Sequence, residues 1–125
     1  MKRLLISASA GLIILFALMI NVATVSAKDK DVVGTWDYSA PNAPYEYSKG
    51  QIIITKGEDK LEGVVNIDGY EMKLNSVKVE DDILSFSLYV EGEYVSVKLT
   101  IKEDALEGKA STSEGLLEVT GKRAK

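Results

Sequence analysis

The chain has 125 residues, with 15 Lys and Arg against 19 Asp and Glu for a formal net charge of −4 at pH 7. It contains no Cys and no His. No disulfide framework can therefore hold the fold, and the commonest acid–base group and transition-metal ligand are both missing.

Lys2 and Arg3 are followed by an uncharged, mostly apolar run over residues 4–20 and then by Val25-Ser26-Ala27, which has the small-x-small form of a signal-peptidase site. A cleavable signal peptide over 1–27 is expected, leaving one exported domain over 28–125, periplasmic or extracellular. An uncleaved anchor is the rival reading of the apolar run. Ser7, Ser9, Asn21 and the cleavage pattern favour removal, so no stable membrane insertion is expected afterwards. With no Cys at the cleavage point, a lipoprotein anchor is excluded. Every acidic residue falls after residue 27, so the mature domain holds 13 basic and 19 acidic residues, a net of −6. That balance opposes phosphate backbones and anionic lipid surfaces, and no nucleic-acid partner is expected.

After residue 28 no stretch repeats its apolar residues at a helical period. Short alternating runs separated by turn signals predominate, the pattern of an all-β chain. Eight strands are predicted, over 32–39, 51–56, 60–67, 70–79, 83–90, 93–102, 105–113 and 116–123. Two kinds of turn alternate between them. Acidic turns at Glu58-Asp59, Glu80-Asp81-Asp82 and Glu103-Asp104 recur every 22 or 23 residues, and so do Gly turns at Asp68-Gly69, Glu91-Gly92 and Glu114-Gly115. This is an antiparallel meander.

The register follows from the turns. A two-residue turn at Glu91-Gly92 pairs Tyr89 with Tyr94, Leu88 with Val95, Phe86 with Val97 and Leu84 with Leu99, and sends Ser87–Ser96 and Ser85–Lys98 to the other face. At Asp68-Gly69 it pairs Val65 with Met72 and Gly63 with Leu74. At Glu114-Gly115 it pairs Thr112 with Leu117, Ala110 with Val119, Leu106 with Arg123 and Glu107 with Lys122. All three hairpins agree on one inside, which a one-residue slip would invert. Pairing the first strand with the last removes both exposed edges, so the predicted fold is an eight-stranded antiparallel up-and-down barrel.

In such a meander the 40–50 connection and the Gly turns share one end, and the acidic turns and both termini share the other. Trp36, Gly63, Gly108 and Gly121 face inward near the terminal end, where Arg123 also arrives. The reading is that the three glycines make room for the indole and that Arg123 lies over it as a cation–π lid. Gly34-Thr35-Trp36 on the first strand, with Arg123 on the last, resembles the signature of calycins, the group of lipocalins, fatty-acid-binding proteins and avidins. The repeated Leu-x-Gly is similar to that of small lipocalin-like exported barrels of bacteria. The resemblance implies a tryptophan packed beneath a barrel, a basic residue crossing it, and a fold suited to ligand binding. The chain is shorter than a typical lipocalin and lacks its disulfides and C-terminal helix.

All six tyrosines map to the other end. Tyr38 closes the first strand, Tyr45 and Tyr47 lie in the long loop with Pro41 and Pro44, Tyr70 follows Asp68-Gly69, and Tyr89 and Tyr94 flank Glu91-Gly92. An apolar ring with a hydroxyl suits a sugar, a lipid headgroup or a protein surface. Simple cross-strand pairing is the preferred account of Tyr89 and Tyr94. Tyr38, Tyr45, Tyr47, Tyr70 and Thr112 are the candidate ligand-binding residues. The inward set, including Val65, Leu74, Leu84, Phe86, Leu88, Val97, Leu99 and Ile101, is ordinary core, so a filled barrel is expected. Any pocket should lie beside Gly108, Ala110 and Thr112 and open toward the tyrosines. The acidic turns lack a full set of spaced calcium ligands, and no catalytic residue, metal or cofactor is assigned. The expected function is non-enzymatic binding of a small apolar or amphipathic ligand at the barrel mouth. A protein-interaction or inhibitor module using the same rim is the alternative, and a stable barrel with no specific ligand is the third reading.

Overall fold

The computed structural model describes residues 29–125, and the expected signal peptide over 1–27 lies outside them. A short helix α1 (Asp29–Val32) precedes nine strands: β1 (Gly34–Ser39), β2 (Lys49–Lys56), β3 (Leu61–Ile67), β4 (Tyr70–Lys73), β5 (Asn75–Glu80), β6 (Ile83–Val90), β7 (Glu93–Lys102), β8 (Ala105–Thr112) and β9 (Gly115–Arg123). All nine form one antiparallel sheet in the order β4-β3-β2-β1-β9-β8-β7-β6-β5. The first strand thus meets the last, with Trp36 opposite Arg123 and Tyr38 opposite Gly121.

The count is nine rather than eight because the strand expected over 70–79 breaks after Lys73. Met72 and Leu74 are buried, and so is Val77, three positions further on. Strict alternation cannot put residues 74 and 77 on one face. A bulge resolves the conflict: the pairing shifts register between Asn75 and Lys78, and Ser76 adopts φ 55°. The first half then pairs with β3 and the second with β6. Leu74 N–H still donates to the Gly63 carbonyl at 2.9 Å, which keeps the expected opposition of these residues. The two sheet edges are consecutive pieces of one chain, and the result is a nearly closed up-and-down barrel.

The Glu91-Gly92 and Asp68-Gly69 hairpins have the expected register. Both central residues of each turn have positive φ, as two-residue turns matched to strand twist require. The third hairpin is displaced by two residues. Thr112 pairs with Gly115 and Ala110 with Leu117, rather than with Leu117 and Val119, and Leu106 faces Gly121 rather than Arg123. Likewise Glu107 faces Thr120 rather than Lys122. The turn is Ser113-Glu114, tightened by Thr112, whose hydroxyl accepts from Glu114 N–H at 3.1 Å and donates to the Gly115 carbonyl at 3.0 Å. A displacement of two is even, so inside and outside are preserved.

The first strand begins at Gly34 rather than at residue 32. Residues 29–32 wind instead into α1, which brings Val32, fully buried, into the core. The fully buried large side chains (Trp36, Ile54, Leu84, Leu99 and Leu106) all sit within a few residues of the acidic-turn end. Trp36 Nε1–H donates to the Val32 carbonyl at 2.9 Å. The Arg123 guanidinium lies 4.1 Å from the indole centroid and donates to the carbonyls of Val33 at 3.0 Å and Asp31 at 2.7 Å.

The glycines do not make room for the indole as expected. A Cβ on Gly108 would meet the Lys98 carbonyl oxygen at 2.0 Å, and one on Gly63 the Ile53 carbonyl oxygen at 2.8 Å. These residues admit the neighbouring strand's backbone. At Gly121 a Cβ would make only ordinary contacts, at 3.5 Å. Gly34 is the glycine next to the Trp36–Arg123 pair: it has φ 136°, and its Cβ would sit 2.9 Å from Arg123 Nη1.

Candidate functional site

The filled barrel expected from the inward residues holds only for the half containing Trp36. Toward the Gly turns the interior opens into a cavity of ≈ 290 Å³. Its walls are inward positions of the strands, among them Ile52, Val65, Met72, Phe86, Val97 and Val119. The space exists because Ala110 and Thr112 on β8, with Ala40 and Ala43 from the connection above, are too small to meet across it. Side-chain volume on β8 and in the connection distinguishes the two halves: Leu106 fills the base, and Ala110, Thr112, Ala40 and Ala43 leave space above.

The 40–48 connection roofs this cavity. Ala40 N–H donates to the Ser48 carbonyl at 2.7 Å and closes the loop on itself. A single 3₁₀ turn, Tyr45–Tyr47, follows Pro44, whose carbonyl accepts from Tyr47 N–H at 2.8 Å. Two tyrosines then fix the loop to the barrel. Tyr38 donates its hydroxyl to the Tyr47 carbonyl at 2.8 Å, and Tyr47 donates its own to Glu91 Oε2 at 2.5 Å. The first bond ties the loop to β1, and the second ties it to the β6–β7 turn across the mouth.

Of the five sequence-predicted ligand residues, Tyr38, Tyr47 and Thr112 line the cavity. Tyr45 and Tyr70 do not: they are 92% and 65% exposed, on the outside of the same end. Tyr89 and Tyr94 form an exposed edge-to-face pair with centroids 5.5 Å apart, consistent with cross-strand pairing. Among the lining residues that sequence reasoning did not assign to a site are two carboxylates, Glu91 and Glu93. Their one signal in the sequence is that they flank Gly92 at the turn nearest the long loop.

Local electrostatics follow from these bonds. The hydrogen bond to Glu91, with some burial and the nearby negative charge, pushes the Tyr47 hydroxyl up to about 12. Burial raises Tyr38 above its ordinary value. Glu93 accepts from Ser113 Oγ–H at 2.6 Å and Ser113 N–H at 2.7 Å, and these bonds hold its carboxyl below the usual range. The site is thus a mostly apolar chamber with a hydroxyl and carboxylate rim. Among the described residues, no helix is long and apolar enough to cross a membrane. No group of three or more His, Cys, Asp or Glu is gathered to hold a metal ion among them. Comparison of the chain with protein-family models, curated proteins and solved structures found no match.

Proposed function

We propose that this is a non-enzymatic exported binding protein that takes a small apolar or amphipathic ligand in the barrel beneath the 40–48 loop. The observation that carries the reading is the ≈ 290 Å³ cavity with its mostly aliphatic and aromatic wall. That volume lies near the lower end of the range for small-molecule sites. The chamber is an apolar space that a fitting hydrocarbon fills with little loss of hydrogen bonding. A calycin-like relationship belongs to the same proposal. It is supported by the stacking of Arg123 on Trp36 where first and last strands meet.

Octanol, neutral and of fitting size, tests the reading. Titrated into the purified protein, it is expected to shift the methyl resonances of Met72 and Ala110, and Ala110→Phe is expected to abolish those shifts at Met72 by filling the chamber. Absence of any shift, or equal shifts in the filled variant, contradicts the reading.

A second reading has its own observation. Tyr45, Tyr70, Tyr89, Tyr94 and Leu116 are large, exposed and all at the mouth end, a composition suited to a protein partner. If this rim is the interface, Tyr45→Ala with Tyr70→Ala abolishes capture of the partner at unchanged melting temperature. Retained capture counts against it.

A further inference from the structure

The charge at the mouth specifies the ligand more narrowly. Two of the cavity-lining side chains carry formal charge, and both are carboxylates, Glu91 and Glu93. No Lys or Arg lines the cavity. Ion pairs among the described residues include Lys56–Asp29, Lys78–Glu80, Lys102–Glu107, Lys109–Glu118 and Arg123–Asp104, and none involves either mouth carboxylate. Their hydrogen bonds come from neutral donors instead, the Tyr47 hydroxyl for Glu91 and the Ser113 hydroxyl and N–H for Glu93. The head of any amphiphile whose tail enters the chamber meets two acceptors without counter-charge.

We propose that the occupant is a small cationic amphiphile, an amine whose ammonium group sits between Glu91 and Glu93 and whose apolar part fills the chamber. This rests on the binding reading above. A cavity of ≈ 290 Å³, near the lower end of the range for small-molecule sites, suits a short-chain ligand. An ammonium brings N–H donors together with a full positive charge, so its bond to Glu91 pairs two ions, whereas the Tyr47 hydroxyl it displaces brings a donor without charge. A carboxylate head meets like charge at a half-apolar mouth, where repulsion is less screened than in bulk water. The Ser113 bonds hold the Glu93 carboxyl below the usual carboxylate range, which favours the ionised form that an ammonium pairs with.

Three ligands sharing one tail separate the head from the chamber: octylammonium, octanol and octanoate, each titrated into the purified protein and followed at the Met72 and Ala110 methyls. The amine is expected to bind at least about tenfold more tightly than octanoate, equivalent to about 1.4 kcal/mol, with octanol between them. Added salt is expected to narrow the gap. Glu91→Gln with Glu93→Gln is expected to bring octylammonium and octanoate within about threefold of each other. Because Glu93 anchors the Ser113 turn, Glu91→Gln is also measured alone, and it should lose much of the amine preference with the turn intact. A flat series, or a preference for octanoate, overturns the amine assignment and leaves the binding reading standing. If none of the three shifts either methyl, both fall.

Discussion

Arg123 directs its guanidinium donors onto the backbone of Val33 and Asp31 and toward the Asp104 carboxylate while its plane covers Trp36. The indole in turn gives its one N–H to Val32. Stacking, carbonyl capping and burial of a large ring therefore converge where β1 meets β9. Trp36→Ala removes the stacking surface and leaves a cavity, and is expected to destabilise by about 3–5 kcal/mol in urea unfolding. A change below about 1 kcal/mol would contradict this account of the base. The glycines give a sharper contrast. Gly108→Ala forces a Cβ onto the Lys98 carbonyl and is expected to cost about 1–3 kcal/mol or more, whereas Gly121→Ala, with only ordinary contacts in reach, should be far milder. Equal effects in thermal unfolding would mean that β7 and β8 do not approach as closely at Gly108. Sequence spacing placed these glycines inward, yet it could not say whether side chain or neighbouring backbone occupied the space.

At the scale of elements, alternation and turn chemistry carried most of the architecture. The Gly turns at Asp68-Gly69 and Glu91-Gly92 set their hairpins directly. The third turn misled by two residues because Thr112 supplies the tightening hydroxyl and shifts the turn to Ser113-Glu114. The break after Lys73 was also latent in the spacing of Leu74 and Val77, which no regular strand can bury together. The loop over the mouth was visible as a Pro-bearing connection, but its latch was not, since Tyr47 and Glu91 are 44 residues apart. That latch predicts a pH dependence. Tyr47 is raised from 10.0 to about 12 in the folded protein. Its share of stability is therefore whole below about pH 10 and is lost as pH rises through about 12. Tyr47→Phe is expected to flatten the alkaline fall of stability in denaturant titrations, leaving the part due to Tyr38. An unchanged slope would show that the hydroxyl is not held by Glu91.

The whole molecule divides along its axis into a filled base and a hollow mouth. The expected export signal joins the chain at the base, so the proposed binding end points away from it. The filled half was legible because Trp36, Leu84, Leu99 and Leu106 are large and fall at inward positions of their strands. The hollow half was not, because an empty volume depends on what stands opposite Ala110 and Thr112 across the barrel, including Ala40 and Ala43 from a loop whose path the sequence leaves open. The most direct test of the central claim is native mass spectrometry of the protein purified from its own host. A bound small molecule, basic in character, lost on mild activation and absent from Ala110→Phe, is the predicted result. Protein that is always ligand-free, together with an unchanged spectrum for the filled variant, would contradict it.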